Sequence, residues 1–135
     1  MSRLDLFLKS RRPADLIEKA AVSESFTDED GVPVLWELKA VSASEDEALR
    51  LSSVKRQNGS FELDTNMYAA KLAAATVVFP DLNDARLQDS YGVMGADRLL
   101  KEMLKAGEYR RLLKKVREIN GFGQVTSGLI EEAKN

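Results

Sequence analysis

Between Val34 and Ala40 the chain alternates, with Val34, Trp36, Leu38 and Ala40 on one side and Leu35, Glu37 and Lys39 on the other. That period of two belongs to a half-buried β-strand. The runs AVSESFT and VPVLWELKAV flank DEDG, so the pattern predicts a β-hairpin over 22–41. Asp30-Gly31 tolerates positive φ in its turn. Pro33 lacks a ladder donor and places the strand start at an edge. Upstream, Leu4, Phe7 and Leu8 share a helical face, and Pro13 marks a second helix start with Leu16 and Ile17.

Downstream the period lengthens. Ser44-Glu45-Asp46-Glu47 has capping-box spacing and predicts a helix over about 45–57, ended by Asn58-Gly59. SFELD is a short strand. Asp64 or Thr65 caps a helix in which Tyr68, Leu72, Ala75 and Phe79 recur at helical spacing, and Pro80 stops it. Alanines at 69, 70, 73, 74 and 75 let another element approach this helix closely. Asn83 caps a short segment holding Leu87 and Tyr91, which Gly92 ends. A helix with Leu99, Leu100, Met103 and Leu104 follows, Gly107 breaks it, and a last helix aligns Tyr109, Leu112, Leu113, Val116 and Ile119 before Gly121. The predicted fold is α+β, mainly α-helical, with an N-terminal β-hairpin packed on a small bundle of helices. Its core unites Trp36 and Leu38 with the stripes at 68–79, 99–104 and 109–119. Residues 1–122 read as one domain and 123–135 as a loosely attached tail.

Composition narrows the chemistry. The 135 residues include no cysteine and no histidine, which removes thiol chemistry, the commonest metal ligand and the commonest neutral-pH base. The longest apolar stretch, Leu72 to Pro80, contains Thr76 and is too short to span a bilayer. The first residues lack the apolar core and cleavage site of a secretion signal. Charge is unevenly spread: residues 22–47 hold eight acids and one base, whereas 96–120 hold eight bases and four acids, within a net charge of −2. Arg110, Arg111, Lys114, Lys115 and Arg117 lie largely off the apolar face of the last helix. The alternative function is therefore a DNA-binding module using the basic helix 109–119. Against it, a charged run is ordinarily the solvated face of an amphipathic helix, and an acidic chain exerts no long-range pull on phosphate.

Gly92 and Gly95 form a Gly-x-x-Gly ahead of a helix, the arrangement of some phosphate cradles. Asp97 in the first helical turn repels an anion, and no Gly-Lys-Ser/Thr follows, so the glycines read as punctuation. TDEDG lacks the alternating ligands and closing glutamate of a calcium loop. Serine–lysine and carboxylate pairs fall at spacings that caps and surface ion pairs explain. Trp36, Tyr68, Tyr91 and Tyr109 all fall on apolar faces and read as core. No catalytic residue, cofactor or metal site is expected, and the chain does not read as an enzyme.

FPDLNDARLQDSYGVMGADRLLKEMLKAGEYRRLLKKVREINGF, residues 79–122, closely resembles the C-terminal half of a family of phage tail assembly chaperones of tailed phages and phage-like elements of Gram-positive bacteria. The hairpin, the capped helix and FELDTNMYAAKLAAATV fit that family in order and spacing. SYGVMGADRLLKEML, followed by GEY and EINGF, is the densest part. Where the family usually has a more apolar residue and a proline before Gly-Glu-Tyr, this chain has Lys105-Ala106.

The resemblance implies a non-enzymatic protein of the bacterial host cytoplasm that binds the tape measure protein, helps recruit tail tube subunits and leaves before the tail is finished. It supplies no catalytic residue to carry over. Leu129, Ile130 and Ala133 recur at helical spacing opposite Glu131 and Glu132, a segment short enough to need a partner to fold on. Together with Arg110, Arg111 and Lys114 they are the candidate partner-binding residues. Similar chaperones make a longer form by frameshifting, and Ala133-Lys134-Asn135 can be encoded with the slippery heptamer A AAA AAC. A frameshift-extended form of the chain is thus another expected partner.

Overall fold

The alternation around Trp36 becomes the central strand of a three-stranded antiparallel sheet in the computed structural model, which describes residues 2–122. Strand β2 (Trp36–Leu38) pairs with β1 (Glu18–Ala20), setting Ala20 opposite Trp36 and Glu18 opposite Leu38. The expected hairpin therefore forms, but its ladder starts further from the turn than the 22–41 boundaries imply. Near the turn the arms touch only through a Thr27–Pro33 bridge. Asp28 holds the turn, its Oδ1 accepting the N–H groups of Asp30 at 2.9 Å and Val32 at 3.0 Å, and Gly31 takes φ 79° as only glycine does readily. Trp36 and Leu38 are buried and Glu37 is half-buried, as the alternation requires.

The third strand was not expected. The helix predicted to run to Phe79 ends at Thr76, and Val77–Phe79 form β5 against β2, Val77 opposite Leu38. Two β-branched residues and an aromatic favour the pleated conformation, and Pro80 disfavours helical angles at Phe79. Lys39 N–H donates to the Thr76 carbonyl at 2.8 Å, tying strand to helix end.

Several other boundaries differ. Helix α1 (Ala43–Leu51) is capped by Ser42, whose Oγ accepts the Glu45 N–H at 3.1 Å, two positions before the expected Ser44. It stops well short of 57. Residues Val54–Gln57 and Ser60–Leu63 pair as β3 and β4, and Asn58 (φ 52°) with Gly59 (φ 82°) makes their turn instead of ending a helix. Two successive positive φ values define the hairpin turn for which Asn-Gly is the preferred pair. SFELD supplies β4 as expected. Asp64 caps α2 (Thr65–Thr76) through the Met67 N–H. Asp84, not Asn83, caps α3 (Ala85–Ser90) through the Leu87 N–H. Helices α4 (Ala96–Met103) and α5 (Ala106–Ile119) meet at Leu104-Lys105, so Gly107 lies inside the first turn of α5 and does not break the chain. Ala106 is the first helical residue, a position that suits proline equally. No helix forms at Pro13–Ile17; Leu16 and Ile17 are exposed, and the first turns are short 3-10 helices at Arg3–Phe7 and Lys9–Arg11.

Buried Trp36 and Leu38 from the sheet meet Leu72 and Ala73 of α2, Leu99 and Leu100 of α4, and Leu112 and Val116 of α5. The buried face of α2 carries Ala70, Leu72, Ala73 and Thr76, while Ala75 of the expected stripe is exposed and Tyr68 half-buried. Ala70 and Ala73 are fully buried, and α2 packs on both α4 and α5.

Asn120 closes this assembly. Its Oδ1 accepts the Val41 N–H at 2.8 Å, and its Nδ2 donates to Thr76 Oγ1 at 3.0 Å and to the Val116 carbonyl at 2.9 Å. One amide thus joins the exit of β2, the end of α2 and the end of α5. Asn120→Ala leaves the Val41 N–H without its acceptor and is expected to destabilise the fold by about 2 kcal/mol. Urea unfolding reads this, with exposed Asn83→Ala as a control expected to cost less than about 0.5 kcal/mol.

Candidate partner-binding surface

Helix α5 divides its residues cleanly. Leu112 and Val116 face the core, and Arg110, Arg111 and Lys114 are exposed. Arg110, Lys114 and Arg117 follow one another at four- and three-residue steps, a single row along the helix, with Arg111 and Lys115 in the next. Lys115 is committed to the sheet, its Nζ lying 2.6 Å from Glu18 Oε1, and the Glu18 carboxylate raises its pKa. The Arg117 guanidinium lies over the Phe122 ring, 5.8 Å from its centroid. The structure therefore brings Arg110, Arg111 and Lys114 together on one face. Leu129, Ile130 and Ala133 lie outside the described residues.

Beside that face, a groove of about 320 Å³ runs between α2 and α5, lined by Leu63, Tyr68, Ala69, Leu72, Leu113 and Arg117 among others. Its walls are mostly hydrocarbon. Tyr68 anchors it to α1 by donating its phenol proton to Asp46 Oδ1. Burial, then the Asp46 hydrogen bond, pushes the Tyr68 pKa up to about 12. Arg117, at the groove's edge, is the residue on which Phe122 rests, so the chain leaves the described fold beside this groove.

A second, wider groove lies where the 21–25 segment crosses the start of α5, with Ser23, Lys105, Glu108 and Arg111 in its wall. Glu108 is buried there. The Ser23 hydroxyl, then the Lys105 N–H at 2.8 Å, hold its carboxyl below the usual range. Residue spacing alone missed this: Glu108 stands three residues after Lys105, where it can bond back to the cap N–H, but nothing local signals Ser23.

The two glycines of the Gly-x-x-Gly serve turns. Gly92 takes φ 66° after α3 and Gly95 takes φ 106° before α4. A Cβ on Gly95 would also meet Asp97 Oδ1 at 3.0 Å. The Gly95 N–H donates to Gln88 Oε1 at 3.0 Å, and Gln88 Nε2 donates to the Leu82 carbonyl. Gln88, which pattern reading passed over, thus locks the α3–α4 connection. Trp36 is core, its ring tilted against Phe26 at an interplanar angle of 49° with centroids 6.4 Å apart, and Tyr68, Tyr91 and Tyr109 are half-buried. Among the described residues no group of three or more acids could hold a metal ion, and no helix is long and apolar enough to cross a membrane.

The family described as phage XkdN-like tail assembly chaperone proteins matches residues 4–134, nearly the whole chain. The chain belongs to the XkdN-like phage tail assembly chaperones. It is 30% identical over 123 residues to the phage-like element PBSX protein XkdN of Bacillus subtilis strain 168, covering 87% of this chain and 83% of that one. It is 32% identical over 120 residues to YqbN of the same organism, covering 84% and 80%. The crystal structure of YqbN is similar with a TM-score of 0.80 at 26% identity, over 91% of this chain and 99% of that one. The sheet and helices described above are thus those of a chaperone of this family.

Because the raised Tyr68 pKa favours the protonated phenol in the folded state, its contribution to stability is complete below about pH 10 and is lost as pH rises towards 12. Ultraviolet titration of the folded protein is expected to show one tyrosine ionising near 12. Asp46→Asn is expected to move that midpoint down, and Tyr68→Phe to remove it.

Proposed function

We propose that this tail assembly chaperone binds the tape measure protein in the bacterial host cytoplasm, keeps it soluble, helps recruit tail tube subunits and is absent from the finished tail. A role without catalysis fits a surface whose ionisable groups serve caps, turns and ion pairs. The observation that carries the reading is the apolar groove between α2 and α5, with Arg117 at its edge continuing the exposed row of Arg110 and Lys114. A long tape measure helix has an apolar stripe to hide, and helix-in-groove packing hides it. The basic row then sets orientation and association rate more than affinity.

In this reading residues 1–122 are the chaperone domain, and the 123–135 tail folds on the partner. Leu129, Ile130 and Ala133 supply its apolar face. A frameshift-extended form of the chain would carry the same domain with a longer tail, which requires slippery codons at Ala133-Lys134-Asn135 and an open frame beyond them.

Co-expression with the tape measure protein of the same gene cluster tests the proposal. The tape measure protein is expected to be insoluble alone and soluble in complex, and continued insolubility with no complex overturns the reading. Truncation after Phe122, which keeps that ring against Arg117 and the core, is expected to leave the circular dichroism and unfolding midpoint unchanged while weakening affinity for a tape measure fragment about tenfold, the worth of one buried apolar side chain at an interface. Unchanged affinity removes the tail from the site.

A further inference from the structure

The N-terminal segment is the least satisfied part of the described chain. Leu4, Leu6, Phe7 and Leu8 are all exposed, Phe7 by 84% and Leu4 by 71%, and none of them packs against the core cluster. Residues 2–12 also carry four bases, Arg3, Lys9, Arg11 and Arg12, against the single acid Asp5. The base of this arm is pinned: Arg12 Nη2 donates to Asp15 Oδ1 at 2.9 Å, and Lys39 Nζ lies 4.0 Å from the other Asp15 oxygen. Before that anchor lies an apolar, cationic arm of about ten residues, wound into two short 3-10 helices, with Leu4, Leu6, Phe7 and Leu8 open to solvent.

On another face lies a groove of opposite character. Phe26, Val34, Phe79, Leu87, Tyr91 and Met103 line a trough of about 330 Å³ whose wall is almost wholly apolar. The two segments that build most of it, 26–34 and 79–91, carry Asp28, Glu29, Asp30, Asp81, Asp84 and Asp89 against one base, Arg86. Those acids are exposed, and three of them serve turns and caps next in sequence to the lining residues: Asp28 closes the hairpin two residues after Phe26, Asp81 follows Pro80 and accepts the Asn83 N–H, and Asp84 caps α3, which carries Leu87. An apolar trough whose flanking segments are acidic suits a segment that combines an apolar run with cationic residues.

We infer that the occupant of this groove is the N-terminal arm of a second copy of the chain, with Leu4, Phe7 and Leu8 in the trough and Arg3 and Lys9 beside the acids that flank it. The complementarity is internal to one sequence, which is what selects a second copy over an unrelated partner. Reciprocal exchange of arms closes the contact as a two-fold dimer and leaves neither groove open. The inference is independent of tape measure binding, since its readout is self-association of the purified chain.

Sedimentation equilibrium across micromolar to millimolar concentrations tests it. The weight-average mass is expected to rise from that of the 15.0 kDa chain towards twice that value. A variant carrying L4D and F7D, both exposed positions without core contacts, is expected to keep its circular dichroism and stay monomeric. A fluorescent peptide of residues 2–12 is expected to bind that variant by anisotropy, about tenfold more weakly at high salt because the flanking acids and the arm's bases are screened. A monomeric full chain, a dimer that survives L4D and F7D, or a peptide that fails to bind each overturns the proposal. Peptide binding with a monomeric full chain assigns the arm to its own groove and overturns the exchange between copies.

Discussion

The fold depends on a single carboxamide. Asn120 stands at the end of α5, where a helix normally leaves carbonyls unpaired and its chain exit undefined. Its amide takes the Val116 carbonyl, the Thr76 hydroxyl and the Val41 N–H at once. Without it, apolar contact among Trp36, Leu38, Leu72 and Val116 would still favour collapse, but burial is non-directional and tolerates sliding. Three hydrogen bonds from a planar group fix the angle between sheet, α2 and α5, and with it the groove that lies between those two helices.

Around that joint the chain divides its surface by chemistry. The hairpin tip and the α3 region are acidic, and the outer face of α5 is basic. Some charges are spent on the fold, as in the Lys115–Glu18 contact between α5 and β1 and the Glu108 cap of α5. Others, such as Arg117, border an apolar trough. Such a surface suits a protein whose task is to hold another chain for a time: hydrocarbon contact supplies the attraction, and the charged borders decide which chain enters and in what direction.

Much of this was legible in the residues. The period of two at Trp36, the Asp64 cap and the stripe of α5 each stated an element, because local backbone preference and burial agreed there. The misses have a common physical cause. Val77–Phe79 is a strand because β2 offers it an edge, and no local feature of TVVF reports a partner forty residues away. Asn58-Gly59 resembles a helix end although it pairs VKRQ with SFEL locally; with both strands largely exposed, no buried alternation announces them. The candidate site divided in the same way. Exposure of Arg110, Arg111 and Lys114 followed from helical spacing, whereas the groove beside them required α2 and α5 to be placed in space. The apolar residues 4–17 misled because hydrophobic periodicity implies burial only when something is there to bury against.

The proposed function rests on one claim, that this chaperone grips its client through hydrocarbon and uses charge for orientation. Titration calorimetry of the full chain with a helical tape measure fragment, over a range of temperatures at low and high salt, tests that claim most directly. Burial of the apolar groove predicts a negative heat-capacity change and an affinity nearly independent of salt. A heat-capacity change near zero, with affinity falling steeply as salt rises, would contradict it and turn attention to the basic row of α5 as the binding surface in its own right.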